Sequence, residues 1–468
     1  MSDEARAVVN PLGGVSRRLA LRRLAGGAAG TAVALLASAC GAGSTGAGSA
    51  GGPAASRAPA EITYMTTWNM ERLEVLNQGL DLFRQKFPHI KVNVAPSIGR
   101  DQITAAFAAG SAPDSLWIEG QVGPRLYEGG QLLDLTAHVR AAKLNLDKDY
   151  ISSKLERWGS KVFAMPHTVS PHAWYYNKSM LKQAGARDPW DDLKGNWAWP
   201  DLLDAAKKVT KVGGANDDVW GVQLDYTSAW YQNSGFVWTN DGLYIDTSAG
   251  PTEWRKWKYT FSHPRTLEGL QFVYDLLTTH RVMISKERAS ELTASGINNL
   301  FSAQRVAMFE NSSGQLITQL RANNIFEWDV VPIPRVRAGG RAGVPLWSGN
   351  PTGVNKDGKF VDAAWELALQ MALDDIQNVF SKARVVTAAL VRSLTIPGGF
   401  ESPPPAHVSA FRAAGIENSG SWNYHPAFAE IETIVVVELG MAFKQEKSLR
   451  QACADIDAQA NAIMARGT

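Results

Sequence analysis

Residues 61–468 run without a second linker and without an internal repeat. That is too much chain for one hydrophobic core, since domains rarely grow beyond roughly 250–300 residues before they divide. Two lobes are therefore expected, and with no linker between them they must be interwoven rather than strung in series. The opening pattern sets the class. Residues 61–68 alternate like a strand, residues 71–87 carry Leu73, Leu76, Leu80, Phe83 and Phe87 at helical spacing, and residues 90–94 alternate again. Strand, helix, strand is the start of a parallel α/β sheet. Helices are predicted over 102–109, 123–128, 199–209, 266–277, 362–372 and 374–380, a buried strand over 115–118, and a long helix or a pair over 427–464.

Residues 1–39 read as an address rather than as structure. Arg17-Arg18 and Arg22-Arg23 precede an apolar run at 24–37, too short to span a bilayer stably, and a small-residue cleavage site follows. This is a secretory signal peptide, and the paired arginines resemble the twin-arginine type. Leu36-Ala37-Ser38-Ala39-Cys40 resembles a bacterial lipobox, whose cysteine is lipidated and becomes the new N-terminus; cleavage after Ala-Ser-Ala by ordinary signal peptidase is the alternative. Residues 40–60 supply a lipidated Cys40 and a flexible Gly/Ala/Ser/Thr/Pro spacer. Two acyl chains suffice for stable anchoring, so the expected location is the outer face of the cytoplasmic membrane. Cys453, in an apolar-periodic run, reads as a buried free thiol. Setting aside five arginines and two acids before Cys40 leaves 42 basic and 43 acidic residues, a net charge of −1. A near-neutral body has no global attraction to nucleic acid or anionic lipid.

Several segments then resemble one family in its own order. Ala112-Pro113-Asp114-Ser115-Leu116-Trp117 is similar to an "aPDv" turn and Gly130-Gln131-Leu132-Leu133-Asp134-Leu135 to a "G-x-L-x-D-L" step. Val162-Phe163-Ala164-Met165-Pro166 followed by Trp174-Tyr175-Tyr176-Asn177-Lys178 resembles "y-G-l-P … l-y-Y-N-k", and residues 300–308 resemble "f-x-x-G-k-a-A-M". Residues 196–206 match a "P-x-T-W-d-e-l-l-e-a-a-k" helix. Ala164 and Gln304 stand where the family carries glycine. On these segments the chain resembles the extracellular solute-binding proteins of ABC importers, the group that includes maltose-binding and other oligosaccharide-binding lipoproteins.

The resemblance implies a two-lobed periplasmic-binding-protein-like α/β fold of type II, with about three crossovers and hinge closure around a ligand. The crossovers are expected near Pro166, Met308 and Gly353, which makes one lobe from 61–166 plus 309–353 and the other from 167–308 plus 354–468. It also implies ABC permease subunits as partners, a monomeric binding protein, and no catalysis. The rival readings are a secreted carbohydrate-active enzyme with two carboxylates in an aromatic groove, and a binding protein for a polyol, glycerol phosphate or peptide. No G-x-S-x-G elbow, H-E-x-x-H helix or phosphate loop is present to favour an enzyme.

Sixteen tryptophans, several in loops, suit a carbohydrate ligand, whose C–H face packs on an aromatic plane while its hydroxyls need polar side chains. Trp68 and Asn69 end the first strand, at the carboxyl edge where such sheets bind ligands. Trp347 precedes the expected third crossover, and Trp230 and Trp238 flank a Gly/Asn/Ser-rich loop. Glu119 and Ser312 are candidate hydroxyl partners, and His167 flanks the first crossover. The ligand-binding set is therefore Trp68, Asn69, Glu119, His167, Trp230, Trp238, Ser312 and Trp347. No carboxylate or cysteine stands at metal spacing from the histidines, so neither a metal nor a cofactor is expected. Trp158, Trp197, Trp199, Trp254, Trp257, Trp328 and Trp365 are assigned to packing.

Overall fold

A computed structural model describes residues 58–96, 98–118, 120–151, 156–213, 218–227, 233–292, 297–323, 325–341, 348–412 and 423–466. Its main strands in chain order are β1 (Ala60–Met65), β2 (Ile90–Ala95), β3 (Ser115–Trp117), β4 (Ala164–Ser170), β5 (His172–Asn177), β6 (Trp220–Gln223), β7 (Val306–Ser312), β8 (Trp328–Val331), β9 (Ser348–Val354) and β10 (Thr387–Ala388). They form a six-stranded sheet in the order β10-β4-β9-β3-β1-β2 and a four-stranded sheet in the order β8-β5-β7-β6. β1 is parallel to both β2 and β3, as the alternating opening predicts. Asp114, from the "aPDv" turn, locks that arrangement by accepting the Thr63 amide at 2.9 Å.

The helices that position the site are α1 (Met70–Lys86), α2 (Arg100–Ala108), α3 (Gly123–Glu128), α4 (Gln315–Asn323), α5 (Val361–Ala372), α6 (Asp374–Ala383), α7 (Phe428–Phe443) and α8 (Leu449–Arg466). α1 starts because the Asn69 side chain accepts from the Arg72 amide at 3.3 Å, which satisfies one of the orphan donors of a helix N-terminus. It buries Leu73, Leu76, Leu80 and Phe83 on one face. Gly79 faces α6 because any Cβ there would come within 2.9 Å of Ile376 Cγ2. Trp68, just before α1, meets Phe380 of α6, Gly79 of α1 packs on Ile376 and Phe380 of α6, and Lys86 at the end of α1 donates to Gln370 of α5. Phe380, in the last turn of α6, therefore packs on Trp68 and on the middle of α1.

The chain exchanges sheets at places that differ from the expected ones. β4 continues to Ser170 inside the six-stranded sheet, and β5 opens the four-stranded one at His172. The exchange is at Pro171, which has no N–H to give a ladder. Met308 lies in the middle of β7, within the second sheet, and the return comes between Val331 and Ser348. Gly353 lies within β9, between β3 and β4. The segment 354–388 stays with the first lobe, since α6 packs on α1 and β10 pairs with β4. Crossing to the second lobe is complete by α7, whose Phe443 ring meets Tyr226 at 4.5 Å. The motifs mark strands, and strands run past the motif before they change partners.

Cys453 is a buried free thiol in α8, and burial pushes its pKa up to about 12. Gln304, in place of the family glycine, takes φ of 56°, the left-handed region that glycine occupies without strain. Trp158, Trp197, Trp199, Trp254, Trp257 and Trp328 are buried and Trp365 packs against the core, so these rings serve packing as expected.

Candidate ligand-binding cleft

Three of the predicted residues meet where β1 ends. The Trp68 indole stacks on the His167 ring with centroids 5.1 Å apart and 25° between planes, and it meets Phe380 edge-on at 6.0 Å. Both residues are covered, Trp68 at 1% exposure and His167 at 1%. β4 delivers His167 from the strand that leads into the Pro171 exchange. Its Nδ1 lies 3.4 Å from Thr352 Oγ1, and among the described residues its Nε2 has no partner. Burial in this apolar stack pulls the imidazole pKa down to about 3, so the ring is neutral at physiological pH. Asn69 sits beside the pair, exposed, with its side-chain oxygen used as the cap of α1.

Ser312 reaches the same junction from the other lobe. It ends β7, its carbonyl accepts from the Tyr175 hydroxyl at 2.8 Å, and its amide donates to Asn311 Oδ1 at 2.7 Å. Ser313 ties this turn to the first lobe, with Oγ 2.5 Å from Thr387 Oγ1. Behind it, His172 Nδ1 lies 3.1 Å from Glu310 Oε1, and full burial raises the Glu310 carboxyl well above the usual carboxylate range. Trp238 stands on the second lobe in the short helix Ser234–Thr239, under the Arg341 guanidinium at 4.7 Å and beside a cavity of about 30 Å³ that Tyr244 and Asn423 also line. Glu119, Trp230, Trp347 and the lipidation candidate Cys40 lie outside the described residues.

Two residues that the sequence reading did not single out occupy the junctions between lobes. Glu128, at the end of α3, accepts from Trp158 Nε1 and from Trp254 Nε1, both at 3.0 Å. Trp158 belongs to the first lobe and packs at 6.0 Å on Trp257 of the second. Arg100 of α2 adds an ion pair to Glu432 of α7 at 3.4 Å, and Gly120 is pressed so closely by Tyr424 that a Cβ would come within 2.4 Å of its ring. The lobes therefore touch through polar and aromatic groups away from the hinge strands. The second residue is Arg72, in the first turn of α1, with Nη2 3.5 Å from where a Cβ on Gly314 would stand. A cation there opposes the helix dipole, and that was its one visible signal in the sequence. Among the described residues no three His, Cys, Asp or Glu side chains gather to hold a metal ion.

Residues 80–391 match the family model of the bacterial extracellular solute-binding proteins. Among curated proteins the chain is similar to an arabinooligosaccharide-binding protein of Halalkalibacterium halodurans, with 24% identity over 245 residues, 49% of this chain and 47% of the relative. It is also similar to the sn-glycerol-3-phosphate-binding periplasmic protein UgpB of Brucella abortus, with 26% identity over 249 residues, 52% and 48% of the two chains. The chain thus spans about half the length of these curated relatives. Among solved structures it resembles the ABC substrate-binding protein Lmo0181 from Listeria monocytogenes in complex with cycloalternan, with TM-score 0.72, 20% identity, and 86% and 98% of the two chains covered. UgpB from Mycobacterium tuberculosis in complex with glycerophosphocholine follows with TM-score 0.68, 16% identity, and 87% and 98% covered.

Proposed function

The chain belongs to the bacterial extracellular solute-binding proteins, and from that premise we propose that it captures a carbohydrate or carbohydrate-like solute between its lobes and hands it to the permease of an ABC importer. Its fold is the two-lobed type II arrangement of periplasmic binding proteins. The observation that carries the proposal is the Trp68–His167 pair at the carboxyl end of β1, beside the strands that pass from one sheet to the other. Aromatic planes at that edge suit the C–H face of a sugar ring, and Asn69 and Thr352 stand beside them as polar groups. Both rings are covered, and the reading requires that parting of the lobes admits a solute to them and closure encloses it. Relatives that bind an arabinooligosaccharide and glycerol 3-phosphate support a hydroxyl-rich ligand.

The ligand contacts we propose are Trp68, Asn69, His167 and Ser312 at the floor, and Glu119, Trp230, Trp238 and Trp347 in addition. We also propose export, anchoring by lipid at Cys40, action as a monomer, and binding without turnover. Among the described residues no helix is long and apolar enough to cross a membrane. Fractionation of cells carrying Cys40→Ser tests this: the variant should leave the membrane, and one that still sediments with membranes after carbonate washing refutes the lipid anchor.

Calorimetric titration of the purified protein with sugars, polyols, glycerol phosphates and peptides, followed by chromatography of each mixture, tests the main reading. Saturable binding of a hydroxyl-rich solute with no product is expected. A new product with purified protein moves the chain into the enzyme class, and binding of peptides alone overturns the carbohydrate reading.

A further inference from the structure

Arg72 is a charged group with no carboxylate paired to it among the described residues. Its guanidinium cannot deprotonate at any ordinary pH, and it sits half-buried at the third position of the 17-residue helix α1. Its Nε is fully enclosed and has no hydrogen-bond partner among the described residues. Burial lowers its pKa, and the charge acting against that effect is Glu71. Glu71 is its neighbour in sequence, and adjacent helical residues do not face each other. Several other arginines carry carboxylates: Arg84 with Asp81, Arg157 with Asp147, Arg392 with Asp374, Arg412 with Glu401.

Two further arginines stand beyond the Phe380 end of α6. Arg384 follows α6, one turn beyond the Phe380 that touches Trp68. Its guanidinium bonds the carbonyls of Ser402 and Pro403. Arg321 of α4 bonds the carbonyls of Phe400, Ser402 and Pro404, and its pKa falls to about 10 through burial and repulsion from Arg384. Neither pairs with a carboxylate among the described residues. Gly314 leaves room in front of Arg72 that a side chain would fill, and the covered Nε2 of His167 is a further polar atom without a partner against Trp68.

From this arrangement we propose that Arg72 is a specificity-determining residue that selects solutes bearing an anionic oxygen group, a phosphate or a carboxylate, on a polyol or sugar frame. The inference rests on the reading of the Trp68–His167 floor as the solute site. An anion meeting Arg72 supplies the charge that the protein withholds, and a fork of N–H donors suits either group. A neutral sugar leaves the guanidinium partly desolvated and unpaired, which costs affinity.

The test uses the full mature chain and two matched pairs of probes: glycerol 3-phosphate against glycerol, and galacturonate against galactose. Calorimetry should give the anionic member of at least one pair roughly tenfold to a hundredfold tighter binding, the scale of a hydrogen bond to a charged group. Which pair discriminates tells phosphate from carboxylate. Arg72→Gln should abolish that ratio, Arg72→Lys should restore part of it, and neither should move the ligand-free melting temperature by more than a degree or two. Equal or tighter binding of the neutral members by the wild type overturns the inference and leaves the solute-binding reading standing. A ratio that survives in Arg72→Gln also overturns it. Binding of none of the four, when a neutral oligosaccharide binds, overturns it as well, whereas failure of every solute sinks the functional reading itself.

Discussion

Glu128 and Arg72 stand at two junctions between the lobes, and burial and engagement are inverted between them. The Glu128 residue is exposed, yet its two carboxylate oxygens accept from two buried indoles on different lobes. Arg72 is half-buried, yet its Nε has no partner among the described residues. A group whose bonds are all made inside the protein holds structure. A charged group enclosed without a partner is costly to keep and fits a site completed from outside. The first junction reads as scaffold and the second as recognition, and the following experiments press on that division.

The largest effect should come from Trp68, which belongs to both. Trp68→Ala removes a ring packed on His167 and Phe380, and should cost about 3–5 kcal/mol of ligand-free stability in urea titration. It should also weaken solute binding. Loss of stability with unaltered affinity would remove Trp68 from the recognition side and leave it as core alone.

Glu128→Ala should cost about 1–2 kcal/mol, because water reaches this exposed site and takes over part of the two lost bonds. Glu128→Gln keeps one acceptor and should fall between the variant and the wild type. If Glu128→Ala binds solute normally but shows no change in stability, the contact is incidental and the contrast with Arg72 fails.

Titration gives a signed effect. Burial holds His425 near a pKa of about 3, below the value of the unfolded chain, so the unfolded state takes the proton first as pH falls. Stability from this group is present above about pH 6.5 and is lost as pH drops towards 3. His425→Asn should flatten the pH dependence of urea stability across that window; an unchanged slope refutes it. Glu156 works in the opposite direction. Its carboxyl is fully buried, has no partner among the described residues, and is raised well above the usual range by desolvation. The folded state keeps this proton, so stability is present at low pH and lost as pH rises above the ordinary carboxylate range. Glu156→Gln should therefore match the wild type at pH 4 and exceed it at pH 7, and equal stability at both would mean that the carboxyl is solvated.

Local order was legible in the sequence where one physical signal dominated. Gly123–Glu128 and Trp199–Val209 are helices with the expected ends, because proline near each start and glycine or threonine after each end leave little choice. The Trp68–His167 meeting was half legible: both residues were expected at the cleft, one from strand order and one from family resemblance, but their mutual stacking and burial depend on α6. The exchange points were not legible. Residues 162–170 and 306–309 are apolar runs with no mark of which sheet they join, and partner choice is decided by segments hundreds of residues away. Glu128 was invisible for the same reason, since its two indole partners lie 30 and 126 residues along the chain. Arg72 left a trace as a cation in the first turn of a helix, but only the three-dimensional neighbourhood shows that no carboxylate among the described residues answers it.

The central claim is that solute is held at the Trp68–His167 floor, and hydrogen–deuterium exchange of the full mature chain with and without a bound solute tests it most directly. The account predicts slowed exchange at residues 68–72, 167–170 and 312–314, the segments that meet at the floor, with smaller changes elsewhere. Protection confined to the groove lined by Phe87, His89, Phe360 and Glu366, with the floor unchanged, would place the ligand on the outer side of the first lobe and contradict it.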